Sequence, residues 1–104
     1  MTEIMYWEAI RRAHDEEMAN DPMVICMGED IGVVGGTYKA TTGLYDKYGE
    51  ARVIDTPISE NGYTGLGIGA SFLGVRPIIE IMSVNFAWLA MDQIFNTAAK
   101  VRYM

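Results

Sequence analysis

Residues 52–82 read RVIDTPISENGYTGLGIGASFLGVRPIIEIM. Arg52–Asp55 has the length and β-branched content of a short strand, closed by Thr56-Pro57. Ser59–Leu73 follows as a helix, with Ser59 as its N-cap and Gly74 as its stop. Pro77–Met82 is an apolar run interrupted only by Glu80, the pattern of a strand covered on both faces. A strand, a helix and a second strand at this spacing predict two parallel strands joined by a right-handed crossover.

Upstream, the same alternation continues. Met23–Met27 predicts another buried strand. Trp7–Ala19 predicts a helix with Trp7, Ile10, Ala13 and Met18 along its apolar stripe and Arg11, Arg12, Asp15 and Glu16 on its wet face. Asp21-Pro22 ends that helix, because proline disfavours helical geometry in the residue before it. Gly28–Gly43 reads as an ordered glycine-rich loop, with Val33, Val34 and Tyr38 to bury, and Leu44–Tyr48 as one or two helical turns stopped at Gly49. Downstream, Phe86–Tyr103 predicts one long helix burying Leu89, Ile94, Ala98 and Val101. The fold class is therefore α/β, a parallel sheet with flanking helices. Three strands leave two open edges, which invite further pairing.

The 104 residues, 50% hydrophobic, suffice for one modest core and predict a single domain or a piece of one. A net charge of −6, with eight scattered Lys and Arg residues, argues against nucleic acid as a partner. No apolar run approaches the roughly 18 residues of a membrane span. The amphipathic, acidic N-terminus does not resemble a signal peptide, so a cytoplasmic, bacterial setting is expected, with a plastid or other organelle as the alternative. The single cysteine, Cys26, lies in an apolar run and reads as a buried, inert thiol.

In open α/β sheets ligands bind beyond the carboxyl ends of the strands. Those ends carry Glu29-Asp30, Asp55–Glu60 and Ser83–Phe86. On the residues alone, Glu60 reads first as a carboxylate at a helix N-terminus, favoured there by the helix dipole. Gly65-x-Gly67-x-x-Ala70 fits a loose dinucleotide fingerprint. Its glycines fall inside the predicted helix rather than between strand and helix, so close backbone packing is the better reading. Gly62, Gly65 and Gly69 share one helix face, smooth enough for another helix or chain to approach. His14 is expected to be solvated. Glu80 would need a partner if buried.

Taken together, Asp55–Tyr63, Gly28-Glu29-Asp30, Gly36–Lys39, Leu73–Ile78, Asp92–Asn96 and Ala98-Ala99-Lys100 resemble, in order and spacing, the E1 beta subunits of the 2-oxoacid dehydrogenases, the pyruvate-acting members most of all. The resemblance runs over essentially the whole chain. It implies a transketolase-like domain that binds the pyrimidine of thiamine diphosphate, with residues 1–104 as the N-terminal part of that domain. It implies that Glu60 is catalytic, hydrogen-bonding N1′ of the aminopyrimidine and promoting ionisation of the thiazolium carbon. That role reverses the capping interpretation. Glu29, Ile58 and Phe86 are implied in the same pocket, Phe86 by stacking on the ring.

The activity implied is oxidative decarboxylation of pyruvate, with acetyl transfer to the lipoyl group of E2, the dihydrolipoyl acyltransferase. Family members often carry Thr-Phe-Asn-Phe where this chain has Ser83-Val84-Asn85-Phe86, and an apolar residue at Asn61. Both departures bear on the substrate pocket, so a branched-chain 2-oxoacid or acetoin is the alternative substrate. The Gly-Asp-Gly signature for metal and diphosphate is not in the sequence. In the family it lies on the alpha subunit, which implies an alpha2beta2 heterotetramer whose alpha subunit holds Mg²⁺. The resemblance also implies that the chain stops short of a family beta subunit and, alone, is inactive. A nonenzymatic module that uses the glycine face to bind a partner is the competing reading from another class.

Overall fold

The computed structural model describes residues 2–104. It contains α1 (Tyr6–Asn20), β1 (Val24–Gly28), α2 (Leu44–Tyr48), β2 (Val53–Asp55), α3 (Glu60–Ser71) and β3 (Arg76–Ile79). The strands form one parallel sheet, as the alternation predicts, and their order is β2-β1-β3. Cys26 is in register with Val53 on one side and Ile78 on the other. The central place falls to β1, the most deeply buried strand, where Val24, Cys26, Met27 and Gly28 are all buried. An interior strand must be apolar on both faces, and Val-Ile-Cys-Met-Gly satisfies that.

The core gathers Met18 of α1, Val24 and Cys26 of β1, Ile31, Leu44 of α2 and Val53 of β2, with Tyr45, Tyr48 and Ile78 packed against it. Burial pushes the Cys26 thiol up to about 11, which keeps it protonated and inert. Arg52 ties α1 to the sheet. Its guanidinium donates to the carbonyl oxygens of Met18 (2.7 Å), Asp21 (2.8 Å) and Val24 (2.7 Å) and lies 4.9 Å from the Tyr48 ring centre. Carbonyls at a helix C-terminus lack intrahelical donors, and a cation there satisfies them.

The structure corrects several expectations. The loop after β1 is not held by Val33, Val34 and Tyr38, which are exposed. Its anchors are the buried Ile31 and Thr41, whose hydroxyl donates to the Ile31 carbonyl at 2.8 Å. The Asp55 carboxylate adds a second tie, accepting from the Gly32 N–H at 2.7 Å. Ser59 precedes α3 but makes no side-chain cap; its hydroxyl donates back to the Pro57 carbonyl at 3.2 Å. β3 is shorter than Pro77–Met82 and only half-buried, because it is a sheet edge. The long C-terminal helix is instead a 3-10 helix at Val84–Ala90 and a π-helix at Asp92–Ala98. Leu89, Ile94 and Val101 are exposed, and the buried residue there is Ala90.

The glycines of α3 serve the chain's own packing more than an external helix. A β-carbon on Gly67 would lie 2.6 Å from Ile79 Cδ1, so this glycine lets α3 approach the sheet. One on Gly65 would lie 2.9 Å from Gln93 Cδ, against the π-helix. At Gly69 the space is open.

Candidate functional site

Glu29 and Glu60 reach one place by different routes. Glu29 directly follows β1, and Asp30 turns the chain sharply after it with φ of 54°. Glu60 is the first residue of α3, where the helix dipole favours a carboxylate. The two chain segments are joined by the Thr56 N–H, which donates to the Gly28 carbonyl at 2.9 Å. Both side chains are buried, each 7% exposed.

Burial raises the proton affinity of Glu29 above the usual carboxylate range, and the charge of Glu60 and a hydrogen bond with it raise it further. Asp30 pushes in the same direction, and a backbone hydrogen bond from Ser59 opposes it weakly. Glu29 Oε1 has no hydrogen-bond partner within the protein. A buried carboxyl beside a second one is harder to ionise, so Glu29 is the group that favours its protonated form.

One turn further along α3, Tyr63 and Thr64 face the same region as Glu60, at i+3 and i+4. Tyr63 is 3% exposed and its hydroxyl is unpartnered. Burial pushes that hydroxyl up to about 12, helped by the charges of Glu29, Glu60 and Glu80. Thr64 Oγ1 and Thr56 Oγ1 are likewise buried without partners.

Glu80 approaches from the third side. Gly28 makes this possible: a β-carbon there would lie 2.7 Å from the Glu80 carbonyl oxygen. Half-buried, Glu80 is raised by burial and by Glu29, and His14 acts in the opposite sense. His14 is half-buried rather than solvated; its Nδ1 lies 2.8 Å from the Ile10 carbonyl. It lines an apolar cavity of about 410 Å³ with Trp7, Tyr38, Glu80 and Met82. The cavity on the Glu60 side measures about 340 Å³ and is lined by Ser59, Glu60, Asn61, Gly62, Leu89 and Asp92. A larger one, about 510 Å³ beside Tyr45 and Asp55, includes neither carboxylate of the pair.

Of the residues expected at the site, the structure unites Glu29 with Glu60. Ile58 is 83% exposed on the connection into α3, and Phe86 is 39% exposed in the 3-10 helix. Both are accessible, and neither belongs to the core cluster. Tyr63, Thr64 and Thr56 were missed. For Tyr63 and Thr64 the signal was present in the i+3 and i+4 spacing from Glu60, on a helix whose other residues, Asn61 and Ser71 apart, are glycine and aliphatic. Among the described residues no group of three or more His, Cys, Asp or Glu side chains is placed to hold a metal ion. No helix among them is long and apolar enough to cross a membrane.

Comparison with known proteins agrees with this architecture. Residues 2–104 match the family described as transketolase, pyrimidine binding domain. The chain is 52% identical over 103 residues to the pyruvate dehydrogenase E1 component subunit beta of Chaetosphaeridium globosum, covering 99% of this chain and 32% of that protein. It is 52% identical over 102 residues to the mitochondrial subunit of Dictyostelium discoideum, covering 98% and 29%. With the chloroplastic subunit beta-3 of Arabidopsis thaliana it shares 50% over 101 residues, covering 97% and 25%. The chain thus spans about a third or less of the length of these curated relatives. A parallel α/β sheet with a buried carboxylate opening the helix after β2, and a family match over nearly every residue, lead to one assignment: the chain belongs to the transketolase pyrimidine-binding domain family.

Proposed function

We propose that this chain forms the pyrimidine side of a thiamine-diphosphate site in the E1 beta subunit of a 2-oxoacid dehydrogenase, with pyruvate as the oxoacid. The observation that carries this reading is the buried Glu60 carboxylate at the start of α3, sharing its environment with Glu29. The residues present fit the pyrimidine half of the cofactor. A buried carboxyl pair with one unpartnered oxygen suits a ring nitrogen that exchanges a proton. Bound thiamine diphosphate supplies a thiazolium carbon able to attack a 2-oxo group and release CO₂.

In this reading Glu60 is the group that faces the pyrimidine N1′. Glu29, its proton affinity raised by burial and by Glu60, stands beside it as an acid. Ile58 and Phe86, both accessible, would pack on the ring. The diphosphate and Mg²⁺ fall to an alpha subunit, in an alpha2beta2 heterotetramer that passes acetyl to the lipoyl group of E2. The relatives' shared name, a beta subunit of an E1 component, supports a partner of this kind. Cytoplasm is the compartment proposed here; among the relatives, the Dictyostelium protein is named as mitochondrial and one Arabidopsis protein as chloroplastic.

The test is Glu60→Gln in the assembled enzyme. Loss of a positioned acid-base group should lower kcat by about 100-fold or more with the fold intact. Near-wild-type turnover would remove Glu60 from the mechanism. A second substrate, a branched-chain 2-oxoacid, is kept open because Asn61 lines the cavity beside Glu60. Decarboxylation rates on pyruvate and 2-oxoisovalerate, measured with the cognate alpha subunit, separate the two.

A further inference from the structure

The hydroxyls of Tyr63, Thr64 and Thr56 and the Oε1 atom of Glu29 share an unusual property. All are buried in the protein, and none has a hydrogen-bond partner there. Buried polar groups are nearly always partnered, by protein or by internal water, and each orphan calls for an explanation. These four are also not scattered. Thr56 is tied by its backbone to Gly28, the residue before Glu29, while Tyr63 and Thr64 stand one turn above Glu60 on α3. Thr56 therefore lies on the connection tied to the end of β1, and Tyr63 and Thr64 on the buried side of α3 that Glu60 opens.

We infer that Tyr63 is a positioning residue that acts on the Glu29–Glu60 carboxyl pair, its hydroxyl supporting the ionised form of Glu29 through one internal water held by the threonine hydroxyls. The inference rests on the function proposed above, whose account of the carboxyl pair it deepens. Its physical basis is the chemistry of the groups. A phenol pushed up to about 12 keeps its proton, so the unpartnered hydroxyl is available as a donor. The charges that act on it are carboxylates: Glu29 at the end of β1, Glu60 at the start of α3, and Glu80 after β3. Asp30 adds negative charge beside Glu29, and His14 of α1 tempers Glu80. A donor among so many acceptors has one favourable use, which is to offset the repulsion that keeps Glu29 protonated.

The experiment uses the assembled enzyme and two variants, Tyr63→Phe and Thr64→Val, with Thr64→Ser as the conservative control. Two readouts are needed. The first is direct titration of the Glu29 carboxyl by carbon-13 NMR of glutamate-labelled protein without cofactor. The midpoint should move to higher pH in Tyr63→Phe, move the same way in Thr64→Val, and return in Thr64→Ser. The second is the pH profile of decarboxylation. The acid limb should move to higher pH, with kcat about fivefold lower on that limb, the effect of one hydrogen bond, and with KM unchanged.

An unmoved Glu29 midpoint in Tyr63→Phe would overturn the inference, whatever the activity does. A moved midpoint with an unmoved acid limb would confine Tyr63 to the carboxyl pair and overturn its link to turnover. If Glu60→Gln leaves turnover intact, the proposed function fails, while the titration still decides whether Tyr63 acts on Glu29.

Discussion

The glycines of α3 make opposite demands, and a pair of substitutions separates them. Alanine in a helix interior is favoured over glycine by about 1 kcal/mol. At Gly69 nothing lies within 4 Å of an added β-carbon, so Gly69→Ala should collect that full gain. At Gly67 the added carbon would meet Ile79 Cδ1 at 2.6 Å, Ile79 Cγ1 at 3.1 Å and Met27 Sδ at 3.2 Å. The tip of Ile79 could rotate away, but the second carbon and the sulfur then still press on the new methyl. Overpacking of this kind costs about 1–3 kcal/mol, which reverses the propensity gain and leaves a net loss of about 1 kcal/mol. The two variants should therefore differ by about 2 kcal/mol, or roughly 8–16 °C in Tm for a domain of this size. Urea titration of the purified chain, with thermal melts followed by circular dichroism, measures both. Equal shifts in the same direction would refute the claim that Gly67 sets the distance between α3 and the sheet.

Three further perturbations follow from the same contacts. Gly28→Ala drives a β-carbon to 2.7 Å from the Glu80 backbone carbonyl, which cannot rotate away, so a loss of about 3 kcal/mol is expected in urea titration. Arg52→Ala strips donors from the Met18, Asp21 and Val24 carbonyls and should cost about 2–3 kcal/mol by the same assay, whereas a cost below about 0.5 kcal/mol would show that water replaces the guanidinium without loss. Glu29→Gln addresses pH. Because folding raises the proton affinity of Glu29, its favourable contribution is full below the unfolded carboxylate value and is lost as pH rises through the higher folded value. The glutamine variant should accordingly gain stability relative to wild type as pH rises above 4.5, and parallel Tm-against-pH curves would contradict the upward shift.

The sheet was legible because its strands are short apolar runs separated by a helix of the right length. Met23–Met27 read as a strand covered on both faces, and the alternation with helices pointed to parallel pairing, but the order that puts β1 in the middle came from the structure. The C-terminal segment was not legible for an equally physical reason. Its apolar residues, Phe86, Trp88, Leu89, Ile94 and Phe95, are spaced as a helix needs, but periodicity does not say whether a surface is present to bury them. With β3 as an open edge, the segment breaks into a 3-10 and a π turn and packs on α3 through Gly65 and Gln93. The loop after β1 misled in the same way: its valines looked like anchors, while the hydrogen bonds of Thr41 and Asp55 do that work and leave no hydrophobic pattern.

The carboxyl pair shows where pattern stops and chemistry starts. Sequence places Glu60 at a helix N-terminus, where a carboxylate is favoured and unremarked. Stability alone would leave such a group solvated, or pair it with a cation. Here it is buried beside a second carboxyl, and the four nearby orphaned polar atoms add cost rather than remove it. Arg52, a cation of the same fold, is committed instead to the carbonyls at the end of α1. A chain selected only for a firm core would not bury Glu29 at the end of β1 against Glu60 at the start of α3, with Glu80 nearby, and leave His14, acting on Glu80, as the cation of that region. The arrangement makes sense if something with a basic nitrogen enters between them, which is why the site rather than the fold carries the functional proposal.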